Sequence, residues 1–158
     1  MIDPESVELM ESSCSLIVGT VDAGGLPDAT RGWGARVLDD GTKIRLLLAE
    51  GARISAANLR STGRIALTAT HFFTLRSVQV KGVALVIEDA NDADRAIFET
   101  FWVDCARMLH EMDDTPESTI RRMVPSSVFA CVMSVDEIFD QTPGPEAGKC
   151  LTASKVKR

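Results

Sequence analysis

Short apolar segments separated by glycine- and aspartate-rich turns constrain this chain more than any other feature. "SLIVGTV" (15–21) is a run of strand length closed by "DAGG" (22–25), and its β-branched residues suit a pleated, buried strand. A second strand follows from Pro27 to Leu38, and "DDG" (39–41) is another hairpin signal before a third, "KIRLLLA" (43–49). The period changes in "GARISAANLRST" (51–62), which puts Ile54, Ala57 and Leu59 on one face of a short helix. It returns to two in "RIALTAT" (64–70), with Ile65, Leu67 and Ala69 on one side. "TLRSVQVKGVALVIED" (74–89) alternates up to Gly82 and is apolar on both faces after it. That pattern predicts a bend or bulge at Gly82 and a covered second half.

Two more helices and one more strand complete the pattern. Proline in the first turn marks an opening helix over 4–12. Ile97, Phe98, Phe101, Trp102, Cys105, Met108, Leu109 and Met112 recur at three and four through "NDADRAIFETFWVDCARMLHEM" (91–112), a long amphipathic helix. After a loop (113–118), "SSVFACVMSVDEIF" (126–139) reads as the last strand. Strands joined mostly by turns pair antiparallel, and six of them can close a small barrel. The expected fold is therefore mainly β: a six-stranded antiparallel barrel with a short helix after strand 3 and a longer one before the last strand. It forms a single domain over 1–140, followed by an extended or mobile tail, 141–158.

Charge and motifs exclude several classes. A net charge of −6 is the opposite of a nucleic-acid footprint. No apolar run approaches the ~20 residues that span a bilayer. The acidic start "MIDPESVELMESS" resembles neither a secretory nor a transit peptide. Cys14, Cys105, Cys131 and Cys150 form no C-x-x-C pair, as expected of reduced thiols in a cytoplasmic protein. His71 and His110 stand in no ligand motif, so no metal site is expected, and the common glycine-rich nucleotide loops are absent.

One stretch asks for a ligand. "DATRGWGARVLDDG" (28–41) sets Arg31 and Arg36 around Gly32, Trp33, Gly34 and Ala35 inside a strand. Glycine within a strand marks a bulge or a close approach to the backbone, and arginine offers a rigid fork to phosphate or carboxylate. The combination points to a flat, anionic ligand along this strand.

The order of "LIVGTVDAGGLPDATRGWGARVLDDG", "ARISAANLRSTGRIALTAT" and "TLRSVQVKGVALV" resembles the FMN-binding split β-barrel family related to pyridoxamine 5′-phosphate oxidase. The likeness implies a homodimer with FMN at its interface and a small-molecule substrate, without nucleic acid or membrane. It places cofactor contacts on Arg31, Gly32, Trp33, Gly34, Ala35 and Arg36, with Trp33 either on the ligand or on the barrel. A second segment, "LAEGARISAANLR", puts Leu48 and Ala49 toward the flavin and Arg53 and Ser55 on its phosphate. In a third, Ser77 stands where the oxidase has glutamine. The ending "FDQTPGPEAGKCLTASKVKR" lacks the oxidase's arginine- and tryptophan-bearing substrate segment, so pyridoxamine phosphate oxidation is not expected. The resemblance implies an FMN-dependent oxidoreductase of unknown substrate. The alternatives are a flavin- or haem-binding protein without turnover and a deazaflavin-dependent reductase. No side chain stands out as a general acid or base.

Overall fold

The computed structural model describes residues 1–152. Seven strands are present: β1 (Ser15–Val21), β2 (Pro27–Leu38), β3 (Lys43–Ala49), β4 (Arg64–Thr70), β5 (Ser77–Asp89), β6 (Val128–Ser134) and β7 (Glu137–Asp140). Antiparallel pairing in the order β4-β1-β2-β3-β6-β5, with β5 back on β4, closes a six-stranded barrel. β7 is an extra strand beside the first half of β5. The expected last strand is thus two strands, because the chain leaves β6 at Val135 and Asp136 and pairs again on the other side of β5.

Gly82 is where β5 changes company. Residues up to Val83 pair with β4, Val78–Lys81 also pair with β7, and Ala84–Asp89 pair with β6 through a bulge between Ala84 and Val86. A Cβ on Gly82 would lie 2.0 Å from the backbone oxygen of Ser134. The Ser134 hydroxyl accepts from the Val83 N–H at 3.0 Å, which fixes the crossing. The second half of β5 is not covered as its apolar pattern suggested: Val83, Leu85 and Val86 are exposed, and only Ala84 and Ile87 reach the core.

Both ends of the barrel are plugged by helices. α1 (Pro4–Glu11), capped by Asp3, sends Leu9 and Met10 into the core, and Glu11 accepts from the Val37 N–H on β2. α2 (Arg53–Ser61) closes the other end. Its inward face is Ser55, Ala56, Asn58 and Leu59, whereas Ile54 is exposed, so the apolar period alone picked the wrong face. Polar pairs set the orientation: Ser55 donates to Asp28 at 2.6 Å and Asn58 to Thr20 at 3.1 Å. A buried donor without such a partner would cost about 1–3 kcal/mol.

α3 (Asp92–Asp113) lies on the outside of the barrel, with α4 (Glu117–Arg121), absent from the sequence reading, behind it. Asn91 and Asp94 form a reciprocal capping box at its start. Phe98 and Trp102 pack on Trp33, Leu47, Val128 and Ala130, the outward residues of β2, β3 and β6. Arg45 of β3 holds the buried Asp94 with two contacts, 2.7 and 2.6 Å, and reaches Glu88 at 2.6 Å. The Arg45 guanidinium, opposed by desolvation and helped by the Asn91 N–H, pulls the Asp94 carboxyl below its usual range.

Cys14, Cys105 and Cys131 are buried, and burial pushes their thiols up to about 11, 12 and 11. They are core residues rather than nucleophiles. Residues 141–148 of the tail turn back, and Cys150 lies beside Phe139 with Leu151 N–H donating to Ile138. The remainder of the tail, 153–158, lies outside the described residues.

Two measurements probe this architecture. Gly82→Ala drives a methyl into backbone rather than a yielding side chain, and should lower unfolding stability by about 3 kcal/mol or more in denaturant titrations. Asp94→Asn breaks a buried charge pair and should cost about 3 kcal/mol near neutral pH. Because the folded carboxyl titrates below the unfolded one, the contribution is complete above pH ~4 and is lost as pH falls further. The gap between wild type and variant should therefore close in acid, as followed by chemical denaturation at a series of pH values.

Candidate cofactor site

α3 divides the outside of the barrel into two halves. Over β2, β3 and β6 the outward side chains are buried beneath it. Over β1, β4 and the first half of β5 the outward residues Ile17, Arg64 and Lys81 are exposed, and α1 and α2 meet these strands at the ends of the barrel. Register partners make rows across that open half. One runs Arg31, Ile17, Thr68, Gln79, Phe139, and the next runs Ala29, Gly19, Ala66, Lys81, Glu137. Adjacent strands lie ~4.8 Å apart, so a row offers a strip wide enough for a planar tricyclic ring. Gly19 and Ala66 keep the floor low, and a cavity of about 410 Å³ opens there, bordered by Arg64, Lys81, Val83, Asp136 and Glu137.

The residues singled out in the sequence distribute unevenly around this face. Arg31 is exposed at its edge, beside Ile17. Gly32 turns inward, where an added Cβ would meet Leu16 at 2.8 Å. Trp33 turns outward under α3, edge-on to Phe98 with ring centroids 6.2 Å apart. Gly34 has φ +135°, and an added Cβ would touch Ile97 of α3 at 2.8 Å. Gly32 to Ala35 is a bulge in the β2–β3 ladder, and Ala35 returns to the core. The close approach that the glycines allow is thus made by the protein's own core and helix. Arg36 emerges past the helix, opposite Arg45, lining a cavity of about 390 Å³ with Glu11, Ser13 and Thr100. Arg31 and Arg36 accordingly stand on opposite sides of a helix-covered segment.

Leu48 is fully inside the barrel, and Ala49 packs against the cluster beneath α3. Ser55 is buried on Asp28, as above. Ser77 is buried too: its hydroxyl meets Thr70 and the Leu75 carbonyl at 2.9 Å, and its N–H donates to Thr142 at 3.1 Å. Arg53 is exposed at the start of α2, lining a cavity of about 350 Å³ with Glu50, Arg60, Asp89 and Phe129. The N-cap of that helix, Ala52, supplies no side-chain cap, so first-turn amides remain for a ligand oxygen. Arg31 and Arg53 make no ion pair among the described residues.

FMN needs a cationic place for its phosphate and a flat place for its ring. Arg31, at the edge of the open strand face, offers charge for the first and the face itself a floor for the second; Arg53 and the opening of α2 form a separate group of donors beside Glu50, Asp89 and Phe129. Donors of the kind the group needs are therefore present. The face adds Ile17, Thr68, Gln79 and Lys81 as candidates that the sequence reading left out of the site. The Gln79 amide donates to Thr68 at 3.0 Å, which turns it along the row. The alternation in "SVQVKG" marks Gln79 and Lys81 as outward-facing, but only the position of α3 shows which outward residues stay uncovered.

Known proteins share this barrel. HupZ of Group A Streptococcus is 21% identical over 94% of this chain and 100% of its own, with a TM-score of 0.55. A putative pyridoxamine 5′-phosphate oxidase of Lactobacillus delbrueckii is 19% identical, covering 87% of this chain and 93% of its own, also at 0.55. An FMN-binding protein of Syntrophomonas wolfei is 14% identical over 87% and 86%, at 0.53. At such identities the likeness speaks to the fold. No curated protein sequence matches the chain. The family model for pyridoxamine 5′-phosphate oxidase matches residues 2–137, nearly the whole barrel with its helices, and the chain belongs to that family.

Proposed function

We propose that the protein is an FMN-binding oxidoreductase that works as a homodimer, its flavin lying on the open face of β1, β4 and β5. The observation that carries this reading is the uncovered half-barrel, floored by Gly19 and Ala66 and edged by unpaired cations. Family membership and the likeness to an FMN-binding protein support it. Arg31 and Arg53 hold the phosphate, together with the first-turn amides of α2. Ile17, Thr68 and Gln79 carry the ring. Bound flavin supplies hydride and electron transfer, while these residues orient it and tune its charge distribution.

The homodimer follows from exposure. A ring on an open strand face is wet on its outer side, and a second subunit laid over the same face excludes that water. Val83 and Leu85 extend the face with exposed apolar surface, as an interface requires. Trp33 and its neighbours in β2 already have α3 for a partner, which leaves β1, β4 and β5 to carry the interface.

Each charge-assisted contact to the phosphate is worth about 1.5–3 kcal/mol. Arg31→Ala and Arg53→Ala should each weaken FMN binding roughly ten- to a hundredfold while leaving riboflavin affinity nearly unchanged. Calorimetric titration of both flavins into the apo protein decides this, and equal losses for both would mean the arginines support the fold or the ring instead. Mass spectrometry of the compound released from the purified protein distinguishes FMN from a deazaflavin or haem. Light scattering at micromolar concentration should give the mass of two chains, and a monomeric mass would remove the interface from the proposal.

A further inference from the structure

Lys81 sits in the open face with its charge turned away from the obvious counter-ion. Its register partner on β7 is Glu137, yet the two form no ion pair. The ammonium nitrogen instead lies 4.6 Å from the ring centroid of Phe139, which stands opposite Gln79 in the adjacent row. A cation over an aromatic face is held by the ring quadrupole. Phe139 is itself held from behind: Cys150 bridges to it, Leu151 N–H donates to Ile138, and Asp140 N–H donates to Lys149. The turned-back tail thus fixes Phe139, and Phe139 draws the Lys81 ammonium toward the Arg31–Ile17–Thr68–Gln79 row. Once a second subunit covers this face, an ammonium there loses water and favours negative charge on whatever lies beside it.

We propose that Lys81 is the residue that stabilises the reduced flavin, and that Phe139, braced by the C-terminal hairpin, positions it. This rests on the flavin reading above. Reduction adds two electrons and one proton to the neutral ring system and so leaves one net negative charge on it. A fixed cation nearby stabilises that form over the oxidised one and raises the midpoint potential. In this chain the tail, which in the oxidase binds substrate, takes part instead in setting the potential. Asp136, whose N–H donates to the Lys81 carbonyl, and Glu137, opposite Lys81 on β7, line the same cavity and act in the opposite direction, so the position of the ammonium decides the sign.

The test is spectroelectrochemistry of the full chain reconstituted with FMN, comparing wild type with Lys81→Met, Lys81→Arg and Phe139→Leu. Lys81 is exposed, so neither of its variants threatens folding. Lys81→Met should retain oxidised FMN but bind reduced FMN about tenfold less tightly, a charge effect across several ångströms. For a two-electron couple that is a fall of about 30 mV in midpoint potential. Lys81→Arg should stay near wild type, and Phe139→Leu should fall in the direction of Lys81→Met. An unchanged potential in Lys81→Met, with FMN bound, overturns the role of Lys81 and leaves the flavin reading standing. An equal fall in Lys81→Arg overturns the charge argument. Wild type that takes up no flavin overturns both.

Discussion

One backbone contact decides how this barrel is built: the passage of β5 against Ser134 at Gly82. A strand that pairs with β4 and β7 in its first half and with β6 in its second must bend sharply and pass close to the strand it approaches. The carbonyl of Ser134 occupies the space of any Cβ at that position. Only glycine lets β5 belong to both sheets, and only that sharing closes the ring of six strands. The bulge two residues later redirects the side chains, so that Ala84 and Ile87 reach the core while Val83 and Leu85 face out. Closure removes the free edges a curved sheet of this size would otherwise expose.

Closure also determines where a ligand can sit. The interior is filled by alternating aliphatic residues such as Leu16, Val18, Leu46, Leu67 and Val80, and both ends are stoppered by α1 and α2. The described cavities lie around this filled interior rather than within it. On the outer wall α3 takes the half over β2, β3 and β6, clamped at its start by Asp94 on Arg45 and along its length by Phe98 and Trp102. The other half is available because the helix is too narrow to cover it and nothing else in the described chain crosses to it.

Much of this was legible in the sequence, for identifiable reasons. Turn formers at 22–25 and 39–41 and the period-two runs placed β1 to β4 almost to the residue, since alternation and hairpin chemistry are local signals. Gly82 was visible as an interruption in an otherwise regular strand. What failed was anything set by a partner distant in sequence. The face of α2 was misread because it is chosen by Asp28 and Thr20, from strands decades of residues earlier, rather than by its own apolar residues. The apolar second half of β5 was expected to be covered, but hydrophobicity cannot say whether the cover belongs to the same chain. "RGWGAR" announced an unusual backbone correctly, and the space a side chain would need is taken by Leu16 at Gly32 and by Ile97 at Gly34. The sequence could show that space was needed there, not what fills it.

The distribution of charge pairing brings these parts together. Lys43, Arg76, Arg95, Arg107, Arg121 and Lys149 are neutralised by acids on their own helix, turn or neighbouring helix, and Arg45 by two acids at once. Among the described residues, Arg31, Arg53, Arg60, Arg64 and Lys81 have no such partner, and they lie on the open face or on the exposed side of α2. Arg36 and Arg122, elsewhere on the surface, are unpaired as well. A chain of net charge −6 repels a dianion at long range, and at physiological ionic strength that repulsion is screened beyond ~8 Å. Inside that distance only local charge matters. An acidic protein with Arg31, Arg64 and Lys81 unpaired on one flat, low-floored face can therefore repel anions at long range and still present a locally favourable surface to one there.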